Sequence, residues 1–270
     1  MKTIFIFSVI LYGISSTGYL YFLKKDKEII QRISFYSALS GLFFHLLTFI
    51  IRWSKAGFFP VSNLFESIFF FTLITIIIYL SIERIYKLRI LGSFIIPLVF
   101  LISLSTFTLN SKLTPLNPAL QSGWLFVHTM FCFLSYAGFL QTFCLGIMYL
   151  TQERQLKRKN PREIYRRLPS LQVLDKVGYY LLRFGFIFLT LGIVSGSIWA
   201  KDAWGAFWSW DPKEVWTLIT WLIYATVLHA RAISGWRGRK AAYLSIAGFI
   251  SLLFTFFGVT FLLDGLHSYM

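Results

Sequence analysis

Long apolar stretches separated by short polar connections make up most of the chain. Eight of these stretches reach the roughly 17–25 residues that an α-helix needs to cross the hydrocarbon core of a bilayer. The predicted membrane-spanning helices cover 4–23, 33–51, 64–82, 91–109, 123–150, 184–200, 215–231 and 241–263. The pattern therefore predicts an all-α fold, a polytopic membrane helix bundle of about eight transmembrane helices that forms a single integral membrane domain over 1–270.

The composition supports a membrane protein and excludes two other classes. Of the 270 residues, 57% are hydrophobic and only 14% are charged, whereas soluble domains average about 25% charged residues. So few charges cannot cover a globule with polar surface, which excludes a soluble enzyme. The net charge of +15 is then a feature of the connections between spans, and we predict no nucleic-acid partner.

The basic residues predict the orientation of the chain in the membrane. Twenty of the 26 Lys and Arg residues fall in connections on one side of the predicted spans. The positive-inside rule assigns this side to the cytoplasm, or to the stroma of a plastid, and leaves both termini outside. The longest connection on the basic side, 151–183, is interrupted by Pro161 and Pro169, and we expect it to form short helices on the cytoplasmic membrane surface.

Tryptophan is concentrated on the predicted outer side, where seven of the nine residues lie at or near the end of a span. An ordinary interfacial belt would occupy both faces. The loop over 200–216 holds the densest run, in which Gly205 permits close backbone approach, while Asp211 and Pro212 suit the start of the next helix. So many indoles favour a large, flat, mostly apolar ligand such as a porphyrin, a quinone or a carotenoid.

Three of the four histidines lie where they could bind iron. His128 is roughly 8 Å below the outer end of the fifth span, and His267 follows the last span on the same side. Imidazoles on both axial faces suit a six-coordinate haem iron. His229 lies roughly 21 Å down the seventh span, too deep to share that iron, which indicates a second site. The alternative for any one intramembrane histidine is a hydrogen bond to a neighbouring helix, and His45 is assigned no role.

The tryptophan loop and the helix after it resemble the WWD signature of haem-handling membrane proteins. The matching pattern is Trp204-Gly205-x-x-Trp208-x-Trp210-Asp211-Pro212-Lys213-Glu214-x-Trp216-Thr217, continuing to His229 and Arg231. It is most similar to the CcsA/ResC branch of system II cytochrome c biogenesis, for which Pro-Lys-Glu after the aspartate is typical. The stretches from Arg52 to Ser67 and from Gly265 to Tyr269 also resemble that branch.

The resemblance implies a haem exporter and cytochrome c synthetase (haem lyase) that works with a CcsB/ResB-type membrane subunit. Haem b, as cargo, would reach the outer loop and meet apocytochrome c, whose Cys-x-x-Cys-His thiols form thioether bonds with the vinyl groups. His128 and His267 match the external iron ligands, and His229 matches an intramembrane ligand that the partner completes. The implied haem-contacting residues are Trp204, Gly205, Trp208, Trp210, Asp211, Pro212, Glu214 and Trp216. The implied membrane is the bacterial cytoplasmic membrane, with the site facing the periplasm, or the thylakoid membrane of a plastid.

Two other functions stay open on the sequence. A haem chaperone of the CcmC type would carry haem without attaching it, and a non-haem transporter or quinone-binding protein would use the histidines structurally. Transporters tend to have inverted halves and helices broken at the midplane, and neither pattern is visible. No catalytic residue is assigned, because Asp211 and Glu214 are expected to cap a helix, and Arg52 and Lys55 are candidates for binding the haem propionates.

Overall fold

The computed structural model describes residues 2–25, 27–113, 115, 121–158 and 163–263. These residues contain no β-strand, which confirms the all-α prediction. The helices are α1 (Lys2–Lys24), α2 (Glu28–Ala56), α3 (Leu64–Tyr86), α4 (Gly92–Ser105), α5 (Gly123–Leu156), α6 (Leu171–Trp204), α7 (Pro212–Ile233), α8 (Arg239–Leu253) and α9 (Val259–Leu262). A π turn, Phe254–Gly258, joins α8 to α9. Within the described ranges, eight helical segments are long and apolar enough to cross a membrane, as predicted.

Helices α5 and α6 extend beyond the spans predicted at 123–150 and 184–200. Each has 34 residues, which corresponds to roughly 51 Å of helix, against about 30 Å of hydrocarbon core. Lysine and arginine are good helix formers, so the basic sequence does not end either helix. The segment 151–183, expected to form short surface helices, instead consists mainly of the ends of α5 and α6, with one short 3₁₀ helix, Glu163–Arg166, between them.

The chain divides into two compact units. The first comprises Met1–Lys112 and Met148–Leu174, and the second comprises Leu113–Ile147 and Asp175–Met270. The single integral membrane domain expected over 1–270 stays a prediction.

In the first unit, α1 packs along α2 and also contacts α4. Small side chains allow the close approach of α1 and α2. A Cβ atom on Gly41 would lie 2.6 Å from the ring of Tyr12. The Ser15 hydroxyl donates a hydrogen bond of 2.7 Å to the Ser34 carbonyl across the same interface.

A buried carboxylate connects three helices of the first unit. Glu83, on α3, is 5% exposed. It accepts hydrogen bonds from the Tyr19 hydroxyl of α1 at 2.8 Å, from the Gln31 amide of α2 at 2.5 Å, and from the Tyr79 hydroxyl of α3. Because burying a charged group is unfavourable without such partners, the cluster favours one relative arrangement of α1, α2 and α3.

The second unit packs α5 to α8 around a pair of stacked rings. Phe139 of α5 and Tyr224 of α7 lie with ring centroids 3.6 Å apart and planes at 5°. Glycines make room for both rings, since a Cβ atom on Gly185 would lie 2.6 Å from Phe139 and one on Gly248 would lie 2.7 Å from Tyr224. These contacts fix the depth at which α5 and α7 face each other.

Polar contacts show that α6 and α7 are antiparallel. Midway along the pair, the Trp221 indole donates a hydrogen bond of 2.8 Å to the Thr190 hydroxyl. At one end, the Arg231 guanidinium donates bonds of 2.9 and 2.5 Å to the Asp175 carboxylate, which also accepts the Gly238 N–H at 2.8 Å. The connection between α6 and α7 therefore lies at the other end of the pair from Asp175.

Candidate functional site

The connection between α6 and α7 is the tryptophan loop predicted over 200–216. Helix α6 ends at Trp204, and the next residue, Gly205, has a φ of 84° in the left-handed region that favours glycine. The Lys201 ammonium donates a hydrogen bond of 2.8 Å to the Gly205 carbonyl. Trp210 has a φ of 60°, uncommon for a residue with a side chain, and its indole is 73% exposed. The loop thus presents an indole outward from a constrained backbone.

Asp211 and Glu214 form a capping box at the start of α7. The Asp211 carboxylate accepts the Lys213 backbone N–H at 2.9 Å. The Glu214 carboxylate accepts the Asp211 N–H at 3.3 Å and the Ser209 N–H at 2.8 Å. Pro212 occupies the first helical position, where a backbone N–H is not required. Both carboxylates therefore hold the loop backbone, as expected for caps, and their contact with haem stays a prediction.

The indoles of the loop contact each other at steep angles. Trp204 meets the buried Trp199 with centroids 5.2 Å apart and planes at 63°. Trp208 and Trp210 are 5.9 Å apart at 88°. The rings consequently present several differently oriented apolar faces, which could enclose a flat ligand but do not form one level surface.

The π turn of the last span packs against the start of α7. The Phe254 ring lies 4.3 Å from the Trp216 ring, and the Thr255 hydroxyl donates a hydrogen bond of 3.2 Å to the Trp216 carbonyl. This contact ties the last span to the tryptophan motif. The second predicted external ligand, His267, lies outside the described residues.

The His128 ring is held against α6 in the second unit. Its Nδ1 atom lies 2.8 Å from the Gly192 carbonyl oxygen, and the ring stacks on Trp199 with centroids 5.8 Å apart. Since a carbonyl oxygen can only accept, Nδ1 carries the hydrogen of the neutral ring and Nε2 carries the lone pair. A Cβ atom on Gly196 would lie 2.5 Å from Nδ1, so only glycine leaves space for the ring.

Gly192 and Gly196 were not singled out in the sequence. Their signal is a G-x-x-x-G spacing on one face of an apolar helix, which marks close approach of a neighbouring helix. Nothing in that spacing reveals that the group approaching is the His128 ring. The pairing depends on how α5 and α6 pack, which is information that a single sequence does not contain.

His229 faces away from the helices of its own unit. It is exposed on α7, together with Leu222, Thr226 and Ile233 at helical spacing. It lies one turn or less from Arg231, hence near the Asp175 end of the pair of α6 and α7. About 25 Å of α6 separates Asp175 from Gly192, to which His128 is bonded. The two histidines are thus too far apart to bind one iron atom.

Two polar residues of the first unit are engaged internally. His45 is fully buried, with Nδ1 lying 3.2 Å from the Tyr12 hydroxyl. Arg52 is 1% exposed and forms an ion pair of 2.6 Å with Glu66. We therefore assign Arg52 a role within this unit rather than propionate binding, because Glu66 already neutralises the charge of its guanidinium. Lys55, the other candidate, is exposed.

Comparison with known proteins identifies the family. The family model described as cytochrome C assembly protein matches residues 61–267, which is most of the chain. The chain belongs to this family. Membership assigns it a role in cytochrome c maturation, and the eight long apolar helices among its described residues make it an integral membrane protein.

Relatives within the cytochrome c assembly family align along most of the chain. The chain is 38% identical to the cytochrome c biogenesis protein CcsA of Heterosigma akashiwo, over 90% of this chain and 87% of that protein. It is 37% identical to the CcsA protein of Trieres chinensis, over 98% and 94%, and 38% identical to that of Prochlorococcus marinus, over 83% and 80%. The similarity to CcsA proteins thus extends along most of the chain, as the motifs indicated.

A solved structure supports the fold. The chain is similar to the cytochrome c heme lyase CcmF, with a TM-score of 0.68 and 18% sequence identity. The match covers 94% of this chain and 46% of CcmF, so the chain spans about half the length of that protein. At this level of identity the similarity concerns the helical fold alone.

Proposed function

We propose that this member of the cytochrome c assembly family binds haem b at its tryptophan loop and presents it on the outer face of the membrane. Apocytochrome c with its Cys-x-x-Cys-His motif is the acceptor. His128 and His267 bind the iron from opposite faces. The loop contributes Trp204, Gly205, Trp208, Trp210, Asp211, Pro212, Glu214 and Trp216, with the two carboxylates acting by holding the backbone. The membrane is the bacterial cytoplasmic membrane or the plastid thylakoid.

The arrangement of His128 carries the proposal. Metal-binding histidines commonly donate their second ring N–H to a backbone carbonyl, which fixes the tautomer and makes the other nitrogen a better ligand. The hydrogen bond from His128 to the Gly192 carbonyl has this form. Ring contacts link His128 to Trp199 and Trp199 to Trp204, so the imidazole adjoins the tryptophan loop.

Attachment requires that the haem ring and the acceptor be held together and that the iron stay ferrous. In each thioether bond, a cysteine S–H adds across a vinyl C=C bond, so no group leaves and no oxidant is consumed. Holding two reactants together, here the ring and the acceptor, supplies a large part of the rate acceleration in a bimolecular reaction. Imidazoles on both faces leave no axial position of the iron open to O₂, which slows oxidation of the ferrous state. The acceptor histidine then displaces one imidazole, which releases the product.

His229 is proposed as half of a second, intramembrane iron site. An ionisable side chain on the outer surface of a spanning helix is unfavourable unless a partner meets it, and His229 is exposed there among Leu222, Thr226 and Ile233. A membrane subunit of the CcsB/ResB type would supply the opposite ligand. Haem would enter at this site and pass to the outer loop.

Absorption spectroscopy of the detergent-extracted protein, co-expressed with a CcsB/ResB-type subunit, tests the outer site. We expect the spectrum of a six-coordinate haem with two histidine ligands. His128→Gly or His267→Gly should lose or oxidise the bound haem, because one face of the iron is exposed, and added imidazole should restore the spectrum. Spectra unchanged in both variants would remove the outer site from the proposal.

A reporter cytochrome c tests export and attachment separately. His229→Ala should lower the haem found at the outer loop when the partner is present, because the entry site is lost. Normal loading would make His229 a packing residue. Haem covalently bound to the reporter, detected after denaturation, distinguishes a synthetase from a chaperone of the CcmC type, which would leave the haem extractable.

A further inference from the structure

We propose that Lys213 is the anion-binding residue of the outer site and pairs with a propionate carboxylate of the porphyrin whose iron His128 binds. The inference rests on the proposed function and extends it. It assigns a role to a residue of the Pro-Lys-Glu motif whose side chain the cap of α7 does not use. The ligand class is a porphyrin with free carboxylates.

Helix geometry puts Lys213 level with His128. Helices α5 and α7 run in the same direction, because each is antiparallel to α6, and Phe139 stacks on Tyr224 between them. His128 precedes Phe139 by eleven residues, and Lys213 precedes Tyr224 by eleven residues. Eleven residues make just over three whole turns, or roughly 16.5 Å of rise. Both side chains therefore lie at the same height and on the facing sides of the two helices.

An interaction across α5 and α7 agrees with this alignment. The Lys213 ammonium lies near enough to Cys132 for the charged forms of the two groups to interact. The Cys132 Sγ atom lies 3.8 Å from each ring nitrogen of His128. Lys213, Cys132 and His128 thus form one cluster at the end of the second unit that carries the tryptophan loop.

The Lys213 charge has no ion pair among the residues that the structure describes, although its side chain is half-buried. The two acids of the loop hydrogen-bond to the backbone, although the Asp211 carboxylate also interacts electrostatically with the Lys213 ammonium. Asp211 accepts the backbone N–H of Lys213 rather than its ammonium, and Glu214 accepts the N–H groups of Ser209 and Asp211. A partly desolvated ammonium is unfavourable without an anion in direct contact with it. A ligand carboxylate would supply that anion.

Pairing at Lys213 would also set the orientation of the substrate. Two imidazoles fix the iron but leave the ring free to rotate about the axis between them. The propionates of haem lie on one edge of the ring and the vinyl groups lie away from that edge. Drawing a propionate inward to Lys213 would turn the vinyl groups toward the exposed loop, where Trp210 lies. The acceptor thiols would meet the vinyl groups there.

The test compares haem with haem dimethyl ester, in which both propionates are neutral. Binding to the detergent-solubilised full chain is followed by absorbance titration. The wild type should bind haem about tenfold more tightly than the ester, as expected for one charge-assisted hydrogen bond. Lys213→Met should bind the two with equal affinity, and Lys213→Arg should keep the preference because it keeps the charge. Lys213→Gln provides a polar, uncharged variant with the same expected loss.

Lys201→Met is the matched control, because it removes an equal charge from the same loop while Lys201 already bonds to the Gly205 carbonyl. It should keep the tenfold preference for haem. The assignment of Lys213 is overturned if Lys213→Met retains the preference or if Lys201→Met abolishes it. If the wild type binds neither haem nor the ester, the proposed function fails, and this assignment fails with it.

Metal-free protoporphyrin IX separates the two proposals further, since it has carboxylates but no iron for a histidine to bind. Its fluorescence should report weaker binding to Lys213→Met than to the wild type, by a similar factor in the His128→Gly background. Equal binding to wild type and Lys213→Met would contradict a carboxylate contact. If Lys213→Met weakens porphyrin binding but His128→Gly leaves haem binding unchanged, the iron site is contradicted and the carboxylate contact is not.

Discussion

At the scale of single residues, the orientation of His128 depends on two glycines. Gly192 offers the carbonyl that binds Nδ1, and Gly196 leaves the space that the ring occupies. A metal ligand must be aimed as well as present. If His128 binds iron as proposed, Gly192 and Gly196 matter to that binding as much as the histidine itself.

Gly196→Ala should displace the His128 ring, because the added methyl would lie 2.5 Å from Nδ1. We expect loss of the hydrogen bond to Gly192, a haem spectrum like that of His128→Gly, and about 1–3 kcal/mol lower stability from overpacking. Absorption spectra and thermal unfolding measure both effects. Gly178→Ala on the same helix is the control, since nothing lies within 4 Å of its Cβ position, and identical haem spectra of the two variants would contradict this account.

At the scale of elements, the start of α7 shapes the tryptophan loop. Asp211→Ala or Glu214→Ala should lower the unfolding free energy by about 1 kcal/mol each through loss of a cap. The loop between α6 and α7 should also be cleaved faster by protease, because Glu214 binds the Ser209 N–H within it. Asp202→Ala serves as control, because this acid is exposed at the end of α6. An equal effect of the control would show that charge, rather than capping, matters.

The elements show where sequence patterns predict structure and where they do not. Helix existence was predictable, because lipid requires every backbone polar group of a spanning segment to be bonded internally. The cap at Asp211 and Pro212 was predictable because aspartate favours the N-cap position and proline favours the first position of a helix. The lengths of α5 and α6 were not, because hydropathy marks the bilayer and the helices continue beyond it. The Arg52–Glu66 pair depends on the packing of α2 and α3 and had no sequence signal.

At the scale of the whole molecule, the eight spans predict that the tryptophan loop and the segment 151–183 face opposite sides of the membrane. Single cysteines introduced at Phe207 and at Lys176, both exposed, test this in a background lacking Cys132 and Cys144. A membrane-impermeant maleimide should label position 207 in intact cells and position 176 only after the membrane is opened. The reverse labelling pattern would invert the orientation and put the tryptophan loop in the cytoplasm.

The hydrogen bonds at Glu83 have a consequence for biosynthesis. During translation, α1 and α2 emerge before α3, so Tyr19 and Gln31 are already made when the acid leaves the ribosome. When α3 enters the lipid, Tyr19 and Gln31 are therefore available to donate hydrogen bonds to Glu83, and the third donor, Tyr79, is on α3 itself. A chain that lacks α1 would lose the Tyr19 donor, so Glu83 would have fewer hydrogen bonds when α3 inserts. The first two helices thereby assist the insertion of the third.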